Sequence, residues 1–340
     1  MKALVVRSPG TMVTEALPMP EIGPYEALVR IDLCVVCNST DQMIVDGTFP
    51  FDFVRYPCVL GHETIGTIVA VGEKVDSFRI GDRVTRSGYK AKPGAGLHAA
   101  WGGFAEYGVA EDVPALKRDG LKHGFATPKP IPKSLSDREA ALLISLSELY
   151  GFTSQLELKG KTVLVLGTGI AGLGIAWFAK RFGAGKVVVA GRRDERLALA
   201  RQAGADEVIN TRRPEAIPEL QADVMIEATG SEDVFLRTFR LLAPGGHIAV
   251  YGVAENAYRM PLSEGPRHFS LRHYDTNEAA STEAVCRLLI KKEIPVDLWI
   301  THEWSFEQID QAFRQVRAGE VVKGIVWLNR TNRAKEERRQ

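Results

Sequence analysis

Cysteine is scarce in this chain, four in 340 residues at positions 34, 37, 58 and 286. That excludes the disulfide framework of a small secreted domain and favours a reducing compartment. Net charge is equally scant. Forty-three Lys and Arg face 42 Asp and Glu, a formal +1 at pH 7, so the charge balance calls for neither a nucleic-acid nor a membrane partner. No internal repeat is visible. Long apolar runs are missing with one exception, the uncharged stretch from 162 to 179. Its glycines and β-branched start read as a buried strand, a tight turn and a buried helix, not as a bilayer span. Residues 1–7 hold an apolar run too short for a secretory signal; they read as a first strand, and the expected location is the cytoplasm.

At this length two cores are expected, and the hydrophobic content of 45% suffices for both. Up to about residue 150 short apolar runs, such as 27–31, 67–71, 82–85 and 104–109, are broken by Gly and Pro, the texture of a β-rich domain with long loops. From 151 strand-like runs at 162–166, 186–190, 207–209, 223–227 and 247–251 alternate with helix-like stretches at 194–203 and 233–242. A parallel, doubly wound α/β sheet is expected there, with residues 267–274 as its sixth strand. Residues 277–340 are expected to return to the first domain through helices at 277–292 and 306–318 and a strand at 321–328, with a frayed tail from about 331. The domain limits are thus 1–150, 151–276 and 277–340, with a cleft beside the inserted domain as the expected ligand site.

The run Gly167, Thr168, Gly169, Ile170, Ala171, Gly172 follows a strand and opens a helix, the setting a dinucleotide-binding loop requires. Gly167 suits the tight turn, Gly169 the approach of backbone to pyrophosphate and Gly172 close packing of helix on strand. At the end of the next strand an NAD site carries an acid for the ribose hydroxyls, but here Gly191, Arg192 and Arg193 stand. Two guanidinium groups suit a 2′-phosphate, so NADP(H) is expected over NAD(H), with Asp194 and Glu195 as the alternative ribose partners. The nicotinamide is expected beside the third and fifth strand ends, near Thr229 and Gly230 and near Gly252 and Val253.

The segment from Gly61 to Gly72 places His62 and Glu63 between a tight turn and a β-rich run, with Cys37 upstream; these donors suit zinc. Residues 81–84 (GDRV), residues 102–107 (GGFAEY) and the nucleotide loop follow in order. Together they resemble the zinc-containing medium-chain alcohol and polyol dehydrogenase family from residue 1 to about 328. The resemblance implies a GroES-like β-rich catalytic domain split around a Rossmann domain, a homodimer or homotetramer, and Cys37 and His62 as zinc ligands. Glu63 then corresponds to the acid that adjoins the metal, and Asp41 to the carboxylate that orients the zinc histidine. One residue is inserted in Cys37-Asn38-Ser39-Thr40-Asp41, which leaves Thr40, beside Asp41, and Ser39 as candidates for the hydroxyl that relays the proton. A histidine common three residues later is replaced by Met43, and Ile144 stands where a third ligand is usual. Glu148, one helical turn on, is the candidate third ligand, with Glu63 or a water as the alternative. The family's second, structural zinc has no ligands here, because residues 89–101 contain no cysteine; one zinc is expected. Residues 90–98 are expected as a loop near the cleft entrance.

The function implied is hydride transfer between NADP(H) and an alcohol or ketone with zinc assistance. Asn38, Gln42, Asp46, His98 and Trp101 would suit a secondary alcohol of a polyol, sugar or cyclitol. A metal-free NADPH-dependent enone or quinone reductase, and a non-catalytic NADPH-binding protein with a decayed metal site, are the competing expectations.

Overall fold

The computed structural model describes residues 1–124, 127–213, 219–252, 259–260 and 262–329. The chain forms two units, one of Met1–Leu142 with Leu289–Gln340 and one of Leu143–Leu288. The texture of the sequence put these limits at 150/151 and 276/277. Helix Leu143–Thr153 belongs with the second unit because its residues pack there: Leu149 lies against Gly174, and the Tyr150 ring meets Phe178 edge-on at 5.4 Å.

The first unit is the β-rich GroES-like domain and is built on strand Glu26–Val36. Its first half alternates between buried and half-buried residues, and its last six residues are all buried, so it passes from a surface position into the core. It pairs antiparallel with Glu63–Val71, with Tyr107–Glu111 and with Lys323–Trp327, and the sheet continues to Ile300–Ser305 and Arg83–Thr85. A smaller sheet orders Thr11–Ala16, Lys2–Ser8, Cys58–Val59 and His98–Ala99. Within residues 90–98, therefore, His98 is strand rather than loop. Leu4, Val6, Ile31, Cys34, Phe104 and Phe313 are among the buried side chains of this unit's main core. The register decides the site: Val35 faces Glu63 and Val36 faces Gly324. Glu63 and Lys323 therefore flank the end of one strand, and Cys37 is the next residue out.

The second unit is a six-stranded parallel sheet in the order Glu207–Asn210, Lys186–Gly191, Thr162–Leu166, Ala222–Glu227, Leu242–Val250, Phe269–His273. This is the Rossmann order, which places the loop after the first strand at the switch point. Thr229 and Gly230 follow the fourth strand in chain order, not the third. Val253 and residues 331–340 lie outside the described residues. The uncharged stretch 162–179 is strand Thr162–Leu166 followed by helix Ile170–Arg181. Among the described residues no helix is long and apolar enough to cross a membrane.

The two later glycines of the loop have different duties. A Cβ on Gly172 would stand 2.1 Å from the Gly167 carbonyl oxygen, whereas one on Gly169 would meet nothing within 4 Å. Gly172→Ala is therefore expected to destabilise the protein by about 1–3 kcal/mol in denaturant titrations, as overpacking against rigid backbone does. Gly169→Ala should change stability by less than about 0.5 kcal/mol. Equal stability of the two variants would show that helix and strand are not held together by this contact.

Candidate metal centre and nucleotide loop

Where strand Glu26–Val36 ends, Cys37 turns the chain toward helix Thr40–Asp46. Asp41, on the first turn of that helix, is fully buried. Its Oδ2 accepts a hydrogen bond from the Cys37 backbone N–H at 2.8 Å, which ties the turn to the helix. Its Oδ1 lies 3.3 Å from His62 Nδ1, and neither of these two buried atoms has another hydrogen-bond partner among the described residues. The other imidazole nitrogen, Nε2, is 3.7 Å from Glu63 Oε1. One ligand atom each from Cys37, His62 and Glu63 lies within 4.8 Å of the others. Ser39 is exposed and Thr40 half-buried at the start of the helix.

Glu63 is buried, and its Oε1 accepts from Lys323 Nζ at 2.5 Å. Lys323 is 2% exposed, a charge placed deep among strands. Such burial is tolerated only with a close partner. Its role was not assigned from the sequence, although a lysine inside the otherwise apolar closing run 321–328 is the signal that would have found it.

The cluster shifts its own ionisation. Burial pushes the His62 pKa down, but the Asp41 carboxylate and the Cys37 sulfur outweigh burial, and the net direction is well upward. For Cys37 burial works to raise the pKa, yet the contacts with His62 and the charge of Lys323 bring it below the ordinary thiol value. Lys323 is raised, the loss by burial being exceeded by attraction to Glu63 and Cys37. Cys34 goes the other way: wholly buried, its thiol is pushed well up and stays protonated. Cys34 and Cys37 thus differ in kind despite their spacing.

The residues present fit a zinc ion. Soft sulfur, imidazole and carboxylate converge, and the imidazole's far nitrogen meets a buried carboxylate, the arrangement that orients a metal-bound histidine. With His62 neutral, as a metal ligand must be, a Cys37 thiolate with Asp41 and Glu63, set against Lys323, leaves two negative charges over, which a divalent cation would cancel. Glu148 stands half-buried on helix Leu143–Thr153 of the second unit, and the neighbouring Ile144 is buried there.

One wall beside His62 is aromatic. The Trp101 indole lies 5.1 Å from the imidazole, ring centre to ring centre, and meets Phe53 edge-on at 4.9 Å. Trp101 has φ +64, rare for a bulky side chain, in a segment held by the Tyr89 N–H bond to the Gly102 carbonyl at 2.8 Å. That backbone costs about 1–3 kcal/mol and persists only where packing enforces it. Arg86 donates to the His62 carbonyl oxygen at 3.3 Å from the opposite strand end.

In the second unit Gly167 and Gly172 are buried, Gly169 is exposed, and Thr168, Ile170 and Ala171 are half-buried, so the loop offers backbone to solvent at the start of helix Ile170–Arg181. Gly191 ends strand Lys186–Gly191; a Cβ there would stand 2.5 Å from Thr168 Cγ2, so a larger residue would have to displace the Thr168 side chain. Arg192 is exposed and Arg193 half-buried at the cap of the next helix. Asp194 is already engaged, accepting from Asn210 Nδ2 at 2.8 Å and Arg213 Nη2 at 2.6 Å. Glu227, buried at the end of the fourth strand, was not identified from the sequence as a site residue. It accepts from the N–H groups of Thr229 and Gly230 at 2.7 and 3.1 Å, while its own backbone carbonyl accepts from Gly252 N–H at 2.9 Å. One residue thereby holds both turns assigned to the nicotinamide.

The chain matches two family models, the alcohol dehydrogenase GroES-like domain over residues 23–118 and the zinc-binding dehydrogenase domain over residues 171–284. It is 30% identical to a sorbitol dehydrogenase of Bacillus subtilis (strain 168) over 272 residues, 74% of this chain and 75% of that protein. It is 28% identical to an L-threonine 3-dehydrogenase of Chelativorans sp. (strain BNC1) over 352 aligned positions, 96% of this chain and 98% of the other. Among solved structures it resembles one from Sinorhizobium meliloti 1021, provisionally assigned as a zinc-binding dehydrogenase and bound to NADP. There the TM-score is 0.79 at 24% identity, over 96% of this chain and 99% of that one. With the GroES-like and Rossmann units both in place, the chain belongs to the zinc-containing medium-chain alcohol and polyol dehydrogenase family.

Proposed function

We propose that this dehydrogenase is zinc-dependent and moves hydride between NADP(H) and an alcohol or its carbonyl product. The observation that carries the proposal is the convergence of Cys37, His62 and Glu63 over the buried Asp41. A zinc ion held there supplies Lewis acidity toward an alcohol or carbonyl oxygen, and a nicotinamide supplies the site to which hydride moves. Asp41 holds the His62 ring in place. Lys323 restrains Glu63 and compensates its charge. The Thr40 hydroxyl, or that of Ser39, takes up the substrate's hydroxyl proton, with Thr40 preferred because it keeps its place beside Asp41. Glu148 is the further candidate ligand. The intact cysteine, histidine and glutamate favour this function over a metal-free enone or quinone reductase.

Elemental analysis is expected to find about one zinc per chain, since residues 89–101 lack cysteine and only one donor set exists among the described residues. Chelation should abolish turnover. Glu148→Ala and Glu148→Gln should lower zinc occupancy and activity together with NADP affinity near wild type. Full occupancy and normal turnover in both variants would remove Glu148 from the ligand set and leave it to Cys37, His62 and Glu63.

The NADP preference rests on Gly191, which stands where an NAD site carries its acid, and on the exposed Arg192. The engagement of Asp194 with Asn210 and Arg213 weighs against the alternative in which it serves a ribose. Arg192→Ala is expected to weaken NADP binding by about 1–3 kcal/mol, the worth of charge-assisted bonds to phosphate, while NAD binding barely changes. Initial rates that favour NAD in the wild type would sink this assignment.

A further inference from the structure

A cavity of about 890 Å³ opens in the first unit and has His62 on its wall. On one side of His62 the lining is made of rings, with Arg86 and Ser87 on the wall as well: Phe49 meets Phe53 at 5.6 Å, Phe51 at 5.3 Å and Trp101 at 6.1 Å, all edge-on. Phe51 and Phe53 are 57% and 52% exposed. Clustered exposed rings of this kind mark a surface that a ligand covers. The backbone of Trp101 is held in the left-handed region with its indole between His62 and Phe53, so the ring is placed before any ligand arrives.

The residues picked out in the sequence for a polyol, Asn38, Gln42 and Asp46, are not on the wall of this cavity, and each is tied to another part of the chain. Asn38 donates to the Val321 carbonyl at 3.0 Å, Gln42 to that of Phe313 at 3.3 Å, and Asp46 pairs with Arg317 at 2.6 Å. On the cavity wall Lys90 and Glu26 pair with each other at 2.6 Å. A polyol placed against the rings would give up water at several hydroxyl groups without equal return. A flat aryl group would instead gain edge-to-face contacts and bury apolar area.

We infer that the substrate is an arylmethanol or an aryl-substituted allylic alcohol, or the matching aldehyde, bulkier than a single ring carrying one carbinol carbon, and not a polyol. This rests on the alcohol dehydrogenase function proposed above. In the oxidative direction the carbinol C–H bond breaks and its hydrogen leaves with both electrons to C4 of NADP⁺. The hydroxyl proton is released, and the carbon–oxygen double bond forms, giving aldehyde, NADPH and H⁺.

The test compares cinnamyl alcohol, 2-naphthylmethanol, cyclohexylmethanol and sorbitol with NADP and with NAD, and pairs turnover with calorimetric binding of cinnamyl alcohol. The aryl alcohols are expected to exceed sorbitol in kcat/KM by about a hundredfold or more. Trp101→Ala should raise KM for cinnamyl alcohol about tenfold with a smaller change in kcat, and Trp101→Phe should recover most of the loss, as a stacked ring would. Sorbitol turned over in preference to both aryl alcohols would overturn the aryl assignment and leave the dehydrogenase standing. No oxidation of any alcohol with either cofactor would sink the dehydrogenase function. In that event saturable binding of cinnamyl alcohol, lost in Trp101→Ala, would still support the aryl site, and its absence would refute it.

Discussion

The structure of the catalytic unit depends on a group of charges taken out of water at the end of one strand. Asp41, the adjacent His62 and Glu63, and Lys323 come from three separate parts of the chain, and each is buried or nearly so. Removing any of them from solvent alone would be costly, so each requires its neighbour. The consequence is geometric as well as electrostatic. Glu63 sits where the charge of Lys323 holds it, His62 stands against Asp41, and Cys37 loses its proton more readily than a buried thiol otherwise would. The same contacts that make the buried charges tolerable bring the candidate ligands Cys37, His62 and Glu63 together.

The sheet register brings these groups together. Strand Lys323–Trp327 pairs with the same strand end that Glu63–Val71 flanks from the other side. A one-residue slip in either pairing would turn the functional side chain to the opposite face. Packing of Phe104, Phe313 and their neighbours secures that register, and in this way apolar burial supports the polar site.

The nucleotide-binding unit shows the same economy in its turns. Gly191 leaves room for the Thr168 side chain at the end of the second strand, the position where an NAD site would place its acid. Glu227 ties together the turns after the fourth and fifth strands from beneath. Polar groups here serve mostly to shape backbone, whereas the rings around Trp101 shape the space next to His62.

Both unit types, the strand segments of the parallel sheet, the loop at 167–172 and the candidate ligands Cys37, His62 and Glu63 were legible in the sequence. Local periodicity and glycine spacing carry the elements, and the family resemblance carries the ligands. Tertiary structure decided what depends on distant partners. Lys323 meets Glu63 across 260 positions of sequence, and no local pattern encodes such a meeting. The helix containing Glu148 joined the second unit through the contacts of Leu149 and Tyr150, which moved the boundary read from composition. Asn38, Gln42 and Asp46 look available for a substrate until the fold supplies each with an internal partner. Trp101, one aromatic residue among many in the sequence, becomes a wall of the site because strained backbone and packing hold its ring against His62.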